Sequence, residues 1–481
     1  MDPVVFRCSL SAAATPLRHV WEHTVGSCHA PLALRADWRE QLRRCHDELG
    51  FQHVRFHGLL SDIGVLVSHG DRLIDSYFNA DSIFDYLLSI GVRPFVELSF
   101  MPEALASGAN TLFSYRANVT PPNDYVAWAG LIHRLTAHWI DRYGVEEVQR
   151  WYFEVWNEPN LAAFWAGTRE QYFELYRHTA RALKGCDAHL RVGGPATAAN
   201  AWIPEFLEFC DREQLPVDFV STHHYPNDPL WSPKQDTESE LAGGRRGVLR
   251  EWAEKAVAEA SPRPLLYTEW NASSNPRYAR QDEPYAAAFA IKSVLEASES
   301  VDAYAFWAFT DIFEENYFPS APFHGGFGLL TLHGVAKPTY RAFELLHALG
   351  TERLAVAGGH DTVDTWAVRK GNALTFLLTN HTLPQQAIRR ERVRVEITDA
   401  GPCTRASVVR IDADHANAKA AWHGMNEPTY LDEKQIEALQ TASRIVAEPV
   451  DCSYDAKKRT LATDIDLPAH AVAAITFEFS K

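Results

Sequence analysis

Between about Arg18 and Ala348, short runs of apolar and β-branched residues alternate with longer stretches in which apolar positions return every three or four residues. That switching between two periodicities is the signature of repeated βα units. The short runs are "RHVWEHTV", "FQHVRFH", "RPFVELSF", "WYFEVW", "RVGGPA", "DFVSTHHY", "PLLYTEW" and "AYAFWAFT", eight in all. Each precedes a segment that can be helical. The first, Asp37 to Leu49, opens on an Asp37-x-x-Glu40 capping box, sets Trp38, Leu42, Cys45 and Leu49 on one face and stops at Gly50. The fourth opens at Thr168 with Gln171 three residues on. Eight such units predict an α/β fold of the (β/α)₈ TIM-barrel type over residues 15–348. An open doubly wound sheet would call for a Gly-rich first turn, which the chain lacks.

From Thr351 the texture changes. The runs "DTWAVRKG", "ALTFLLTN", "RVRVEITD" and "AVAAITFEF" alternate between polar and apolar and are parted by turn residues, which predicts an antiparallel β-sandwich over 349–481. "NAKAAWHGMNEPTYLDEKQIEALQTAS" interrupts it with one short helix, and "VVFRCSL" near the start offers the sandwich a strand from residues 1–14.

Charge narrows the partners. With 46 basic against 62 acidic residues and no Lys/Arg block, neither nucleic acid nor an anionic membrane surface is an expected partner, and a neutral or cationic small ligand is. The first thirty residues show no basic start followed by an apolar core, and no segment is long and apolar enough to span a bilayer. Seven dispersed cysteines without a CxxC suit reduced thiols in a cytoplasm.

Candidate chemistry sits at two strand ends. In such barrels the reacting residues occupy the C-terminal mouth of the strands. Glu158 ends the fourth run in "WNEPN" and Glu269 ends the seventh in "YTEWN". Two facing carboxylates in a rigid cleft are what glycoside hydrolysis needs: one held protonated to donate to the leaving oxygen, one kept ionised to attack the anomeric carbon, about 5–5.5 Å apart for retention. Either acid alone could equally cap a helix or pair with a base. Glu154, within the fourth strand, reads as a partner for an arginine, and Glu97 in "FVELSF" is ambiguous.

"WNEPN" and "YTEWN" resemble the acid/base and nucleophile motifs of the retaining (β/α)₈ glycosidases. "RFHGLLSD", "MPEALASG", "NVTPPNDY", "STHHYP" and "FWAFTDIFEE", in that order, resemble glycoside hydrolase family 39 and its bacterial β-xylosidase branch. The resemblance implies Glu158 as acid/base and Glu269 as nucleophile, with Asn157 bonding the sugar 2-hydroxyl. His57, His223 and Tyr225 would line the same mouth, Tyr225 holding the nucleophile's oxygen. It further implies Glu314 or Glu315 as a sugar-hydroxyl ligand, Trp307 as a stacking floor, and Tyr115 with Phe113 as a second wall. Ser61-Asp62 departs from the paired aspartates of many relatives, which loosens the inference of xylose as the sugar.

Other constellations carry less. His223-His224 point to opposite faces of a strand unless a bulge intervenes, and His53-x-x-x-His57 are far apart on one, so no metal and no cofactor is expected. "HGGFG" at 324–328 lacks a phosphate-loop signature and reads as a loop closing on the sugar. The resulting expectation is a cytoplasmic, retaining, exo-acting β-xylosidase acting on short xylooligosaccharides. A same-mechanism enzyme for another sugar (β-galactosidase, β-glucosidase, α-L-iduronidase or endo-acting exopolysaccharide hydrolase) and a sugar-binding pseudoenzyme stand as alternatives, and a homo-oligomer is left open.

Overall fold

In the computed structural model, which describes residues 3–70, 72–228 and 234–480, eight strands form a closed parallel barrel in sequence order. They are β1 (Thr24–His29), β2 (His53–His57), β3 (Arg93–Leu98), β4 (Tyr152–Val155), β5 (Arg191–Thr197), β6 (Phe219–His224), β7 (Leu265–Trp270) and β8 (Ala303–Phe306). A principal helix follows each one: Ala36–Leu49, Phe78–Ser89, Tyr125–Tyr143, Arg169–Cys186, Ile203–Arg212, Val248–Ala260, Pro284–Ala297 and Pro338–Ala348. This is the expected TIM barrel.

Two local expectations are corrected. The first strand begins at Thr24, because Val20–Glu22 coil into a 3₁₀ turn that buries Val20 and Trp21. The first helix has Arg35 at its N-cap with no side-chain cap; Asp37 lies inside the first turn, where it accepts from Arg35 Nε at 3.0 Å and the Trp38 amide at 2.9 Å. The stop at Gly50 holds, with φ of 78° in the region where a side chain is strained. The Thr168–Gln171 capping box closes reciprocally as its spacing predicts.

The interior of the barrel is layered. Phe95, Phe219, Leu266 and Ala303 plug its N-terminal end, with the Phe95 and Tyr152 rings stacked at 5.3 Å. Above this apolar floor the inward positions turn polar: Arg55, Glu97, Glu154 and Thr268 are all buried. Alternation would send Thr268 and Glu269 to opposite faces, yet both point inward. A register shift on β7 between Tyr267 and Trp270 inserts one extra residue and re-aims them.

The second module is built from two packed sheets, of seven and five strands. Ala373–Asn380 and Ala471–Phe479 match the expected runs residue for residue, and Phe376, Val395, Ile397, Ile475 and Phe477 fill the space between the sheets. The N-terminal strand, Val4–Ser9, does join it, but parallel to Glu391–Thr398, so the sandwich is not wholly antiparallel. Thr15–Pro16 also pair there, against Glu352–Arg353, before the chain enters the barrel. The interruption contains two helices, not one: Ala418–Gly424 and Glu433–Ala442, the second capped by Asp432 and Gln435. Among the described residues, no helix is long and apolar enough to cross a membrane.

Candidate active site

A cleft of about 750 Å³ opens at the C-terminal mouth of the barrel, a volume suited to a small ligand. Glu158, Glu269, His57, Asn157, Tyr225 and Trp307 line it. An oxygen of Glu158, a ring nitrogen of His223 and an oxygen of Glu269 all lie within 4.8 Å of one another, so the barrel does bring the two distant motifs together.

Glu158 reaches this point through a strained turn. Trp156 and Glu158 have φ of 73° and 45°, a left-handed conformation that costs side-chain-bearing residues about 1–3 kcal/mol each. The turn is held by the Glu158 amide on the Ala196 carbonyl at 2.8 Å and by Trp156 Nε1 on the Phe164 carbonyl at 2.9 Å. Burial then pushes the Glu158 carboxyl up to about 7, against the opposing pull of His57 and Arg55. His223 Nδ1 sits 2.9 Å from Glu158 Oε1.

Glu269 lives in the opposite environment. It accepts from Arg55 Nη1 at 2.8 Å and from the Tyr225 hydroxyl at 3.0 Å. Asn157 accepts from Arg55 Nη2 at 2.8 Å through its Oδ1, which leaves its amide N–H groups to donate elsewhere. His57 Nδ1 meets Glu97 at 2.8 Å; burial lowers the imidazole, but the Glu97, Glu269 and Glu315 charges outweigh it and hold it at about 9.

Sequence reasoning passed over the residue that organises all of this. Arg55, inward on β2 two positions before His57 and fully buried, touches Glu154 at 2.6 Å, Glu97 at 2.8 Å, Glu269 at 2.8 Å and Asn157. The signal was present as a basic residue at an inward position of a strand whose end carries a site histidine. Glu154 does pair with an arginine, and Glu97 is the partner of Arg55 and His57. Replacing Arg55 with Met leaves three buried carboxylates without their shared cation, and a loss of about 3–5 kcal/mol of stability is expected. Chemical denaturation followed by Trp fluorescence measures it.

The walls separate the remaining candidates. Trp307 forms one wall, seated against Gly26, where any Cβ would overlap its ring. Glu315 lines the cleft and is buried, 3.6 Å from His57 Nε2, and burial raises it to about 8. Glu314 does not: it points outward to Arg35 at 3.4 Å, so of the two acids only Glu315 faces the cleft. Tyr115 stands back from the cleft. Its ring stacks on His29 at 3.9 Å behind Phe113, and Phe113 is the residue that reaches the cleft. Asp62 bonds His29 at 3.0 Å and Ser61 at 2.5 Å and lies outside the lining, so the Ser61 departure touches the site only indirectly. In the Gly-rich loop, Phe327 enters the cleft. Buried Lys337 anchors that loop by bonding the Gly326 carbonyl at 2.9 Å while paired with Asp282 and Asp311.

Among the described residues, Glu158, His223 and Glu269 are also a set that could hold a metal ion. Their donor atoms are already engaged by one another, by Tyr225 and by a guanidinium 2.8 Å away, which suits an acid pair better than a cation cage. His224 faces away, stacked on Tyr267 at 3.8 Å, and His53 lies at the floor, bonded to the His23 carbonyl at 2.7 Å.

Comparison with known proteins places this geometry in a family. The chain is 47% identical over 464 residues, 95% of each chain, to a β-xylosidase of Caldicellulosiruptor saccharolyticus. It is 37% identical to a β-xylosidase of Geobacillus stearothermophilus, over 88% of this chain and 86% of that one. A solved GH39 β-xylosidase from Caulobacter crescentus superimposes with a TM-score of 0.82 at 33% identity, covering 98% of this chain and 99% of that one. The family model for glycosyl hydrolases family 39 matches residues 6–458, and the chain is a glycoside hydrolase belonging to that family.

Proposed function

We propose that this glycoside hydrolase is an exo-acting β-xylosidase that works by double displacement with net retention on short xylooligosaccharides. The carrying observation is the opposed setting of the two acids in one cleft: Glu158 buried and raised to about 7, Glu269 fixed by Arg55 and Tyr225. In the first step the Glu269 carboxylate bonds the anomeric carbon while the Glu158 proton passes to the glycosidic oxygen, and the aglycone leaves as an alcohol. In the second, Glu158 takes a proton from water, whose oxygen bonds the anomeric carbon as the Glu269 ester breaks. The close approach of the two carboxyl oxygens supports retention over inversion, which needs about 6.5–9.5 Å between the groups.

A neutral sugar fits the lining. Its described residues include no Lys or Arg, while Glu315 and Asp228 add acceptors, and Trp307 and Phe113 supply apolar faces for the ring. The names borne by the relatives at 47% and 37% identity favour xylose. In this reading residues 15–348 carry the chemistry and the enzyme works in the cytoplasm, in keeping with seven unpaired cysteines.

Initial rates on matched aryl glycosides test the substrate: β-D-xyloside, β-D-glucoside, β-D-galactoside, α-L-arabinoside and α-L-iduronide. The xyloside is expected to give the highest kcat/KM, and NMR of the first product formed should show the β anomer. Preference for another glycoside moves the assignment to that sugar, and an α anomer removes the double displacement.

A further inference from the structure

Beneath the two acids runs a chain of hydrogen bonds whose direction can be read. Arg55 Nε donates to Glu154 Oε2 at 2.6 Å, a buried ion pair in which the Glu154 side chain is the acceptor. The Thr268 hydroxyl donates its single proton to Glu154 Oε1 at 2.8 Å. Its oxygen, 3.1 Å from His223 Nε2, is then free only to accept, so that nitrogen must carry the N–H. A neutral imidazole protonated at Nε2 has a lone pair at Nδ1. That lone pair faces Glu158 Oε1 at 2.9 Å, and a hydrogen bond forms there only if Glu158 brings the proton.

We propose that Thr268 and Glu154 are positioning residues that lock His223 in its Nε2–H tautomer, so that its Nδ1 accepts from the protonated form of Glu158. The proposal rests on the reading of Glu158 as the general acid and explains how the fold keeps that acid loaded before substrate arrives. Burial supports it by driving His223 down to about 4, which leaves the imidazole neutral. The extra residue on β7 is what makes the arrangement possible, since it lets Thr268 face the relay and Glu269 face the sugar from adjacent positions.

The opposite tautomer shows what the lock prevents. With the proton on Nδ1, His223 would donate to an ionised Glu158, and the Thr268 hydroxyl would have to turn toward Nε2, leaving Glu154 Oε1 without its donor. Loss of the Thr268 hydroxyl removes that penalty, favours the charged form of Glu158 and lowers the pH at which the acid is lost. The other groups acting on Glu158 and His223 are His57 and Arg55 on β2, Glu97 on β3, Glu154 on β4, His224 at the end of β6 with Tyr225 just after it, Glu269 on β7, and Asp228 and Glu315 in the cleft lining. A Thr268→Val substitution leaves all of them in place.

Two measurements decide. In ¹⁵N-histidine NMR of the wild-type enzyme near neutral pH, with His223 assigned by difference against His223→Gln, the N–H coupling is expected on Nε2 and not on Nδ1. A proton on Nδ1 overturns the lock. In kcat/KM profiles on a β-xyloside with a poor leaving group, the basic limb of Thr268→Val is expected to move down by about one pH unit, and Thr268→Ser to restore it. A uniform loss of rate with the limb unmoved marks Thr268 as merely structural. Should Thr268→Val not fold, the wild-type NMR result still stands alone. A wrong assignment of Glu158 would show separately, as a Glu158→Ala enzyme whose rate loss ignores the leaving group.

Discussion

Glu269→Ala is expected to lose about 10⁴-fold or more of kcat on every β-glycoside, whatever the acidity of the leaving group. In the proposed mechanism the carboxylate forms the bond to the anomeric carbon in the first step, and no proton delivered by Glu158 replaces a missing nucleophile. Some cost in stability accompanies it, since Arg55 Nη1 and the Tyr225 hydroxyl lose their acceptor, at about 1–3 kcal/mol for a buried group left unpaired. Thermal denaturation alongside the kinetics keeps the two effects apart. Added azide, entering the space vacated by the side chain, should yield the α-glycosyl azide, the product of a single inverting displacement. Turnover retained within tenfold would remove Glu269 from the reaction.

Glu158→Ala should behave differently with each substrate. With an acidic aryl leaving group the first step needs no proton, so the glycosyl-enzyme forms quickly and accumulates, seen as a burst and a lowered KM. With xylobiose, whose leaving alcohol must be protonated, a loss of about 10²–10⁴-fold is expected. Azide should accelerate the second step and give the β-glycosyl azide. The pH profile supplies an independent check. In the proposed mechanism Glu158 must be protonated for the first step, so the kcat/KM of the wild-type enzyme is expected to fall as pH rises through about 7. In Glu158→Ala that basic limb disappears for activated substrates. A limb that persists there would belong to another group, with His57 at about 9 and Glu315 at about 8 the nearest candidates.

The residues that were legible in the sequence are those at strand ends. Glu158, Asn157, His223, Tyr225 and Glu269 follow apolar runs, and a polar residue at the exit of a buried strand stands out against its neighbours. Arg55, Thr268 and Glu154 did not stand out, because their meaning comes from partners on other strands: Arg55 meets Glu154 and Glu269, which lie 99 and 214 residues away in the chain. The first barrel strand was misplaced for a related reason. Its residues, Thr24 to His29, are small or polar yet all buried, so periodicity gave no signal, and Gly26 is small to admit Trp307. Choosing between Glu314 and Glu315 needed the conformation of the loop after β8, which no spacing rule supplies. The bulge on β7 was equally invisible, since strict alternation would have turned Thr268 away from the acid on its own neighbour.

The parallel pairing of Val4–Ser9 with Glu391–Thr398 bears on how the protein is made. Arg7 and its partner Glu396 are 389 residues apart. At a synthesis rate of about 5–20 residues per second, Val4–Ser9 waits roughly 20–80 s for this parallel partner, and its other neighbour, Val356–Ala357, emerges only shortly before. The βα units, whose contacts are local, emerge complete in that interval, so the opening segment stays an open edge while the catalytic barrel assembles beside it. The second module is therefore completed only after the barrel strands have been made, and Val4–Ser9 is among the last of the strands to find its neighbours.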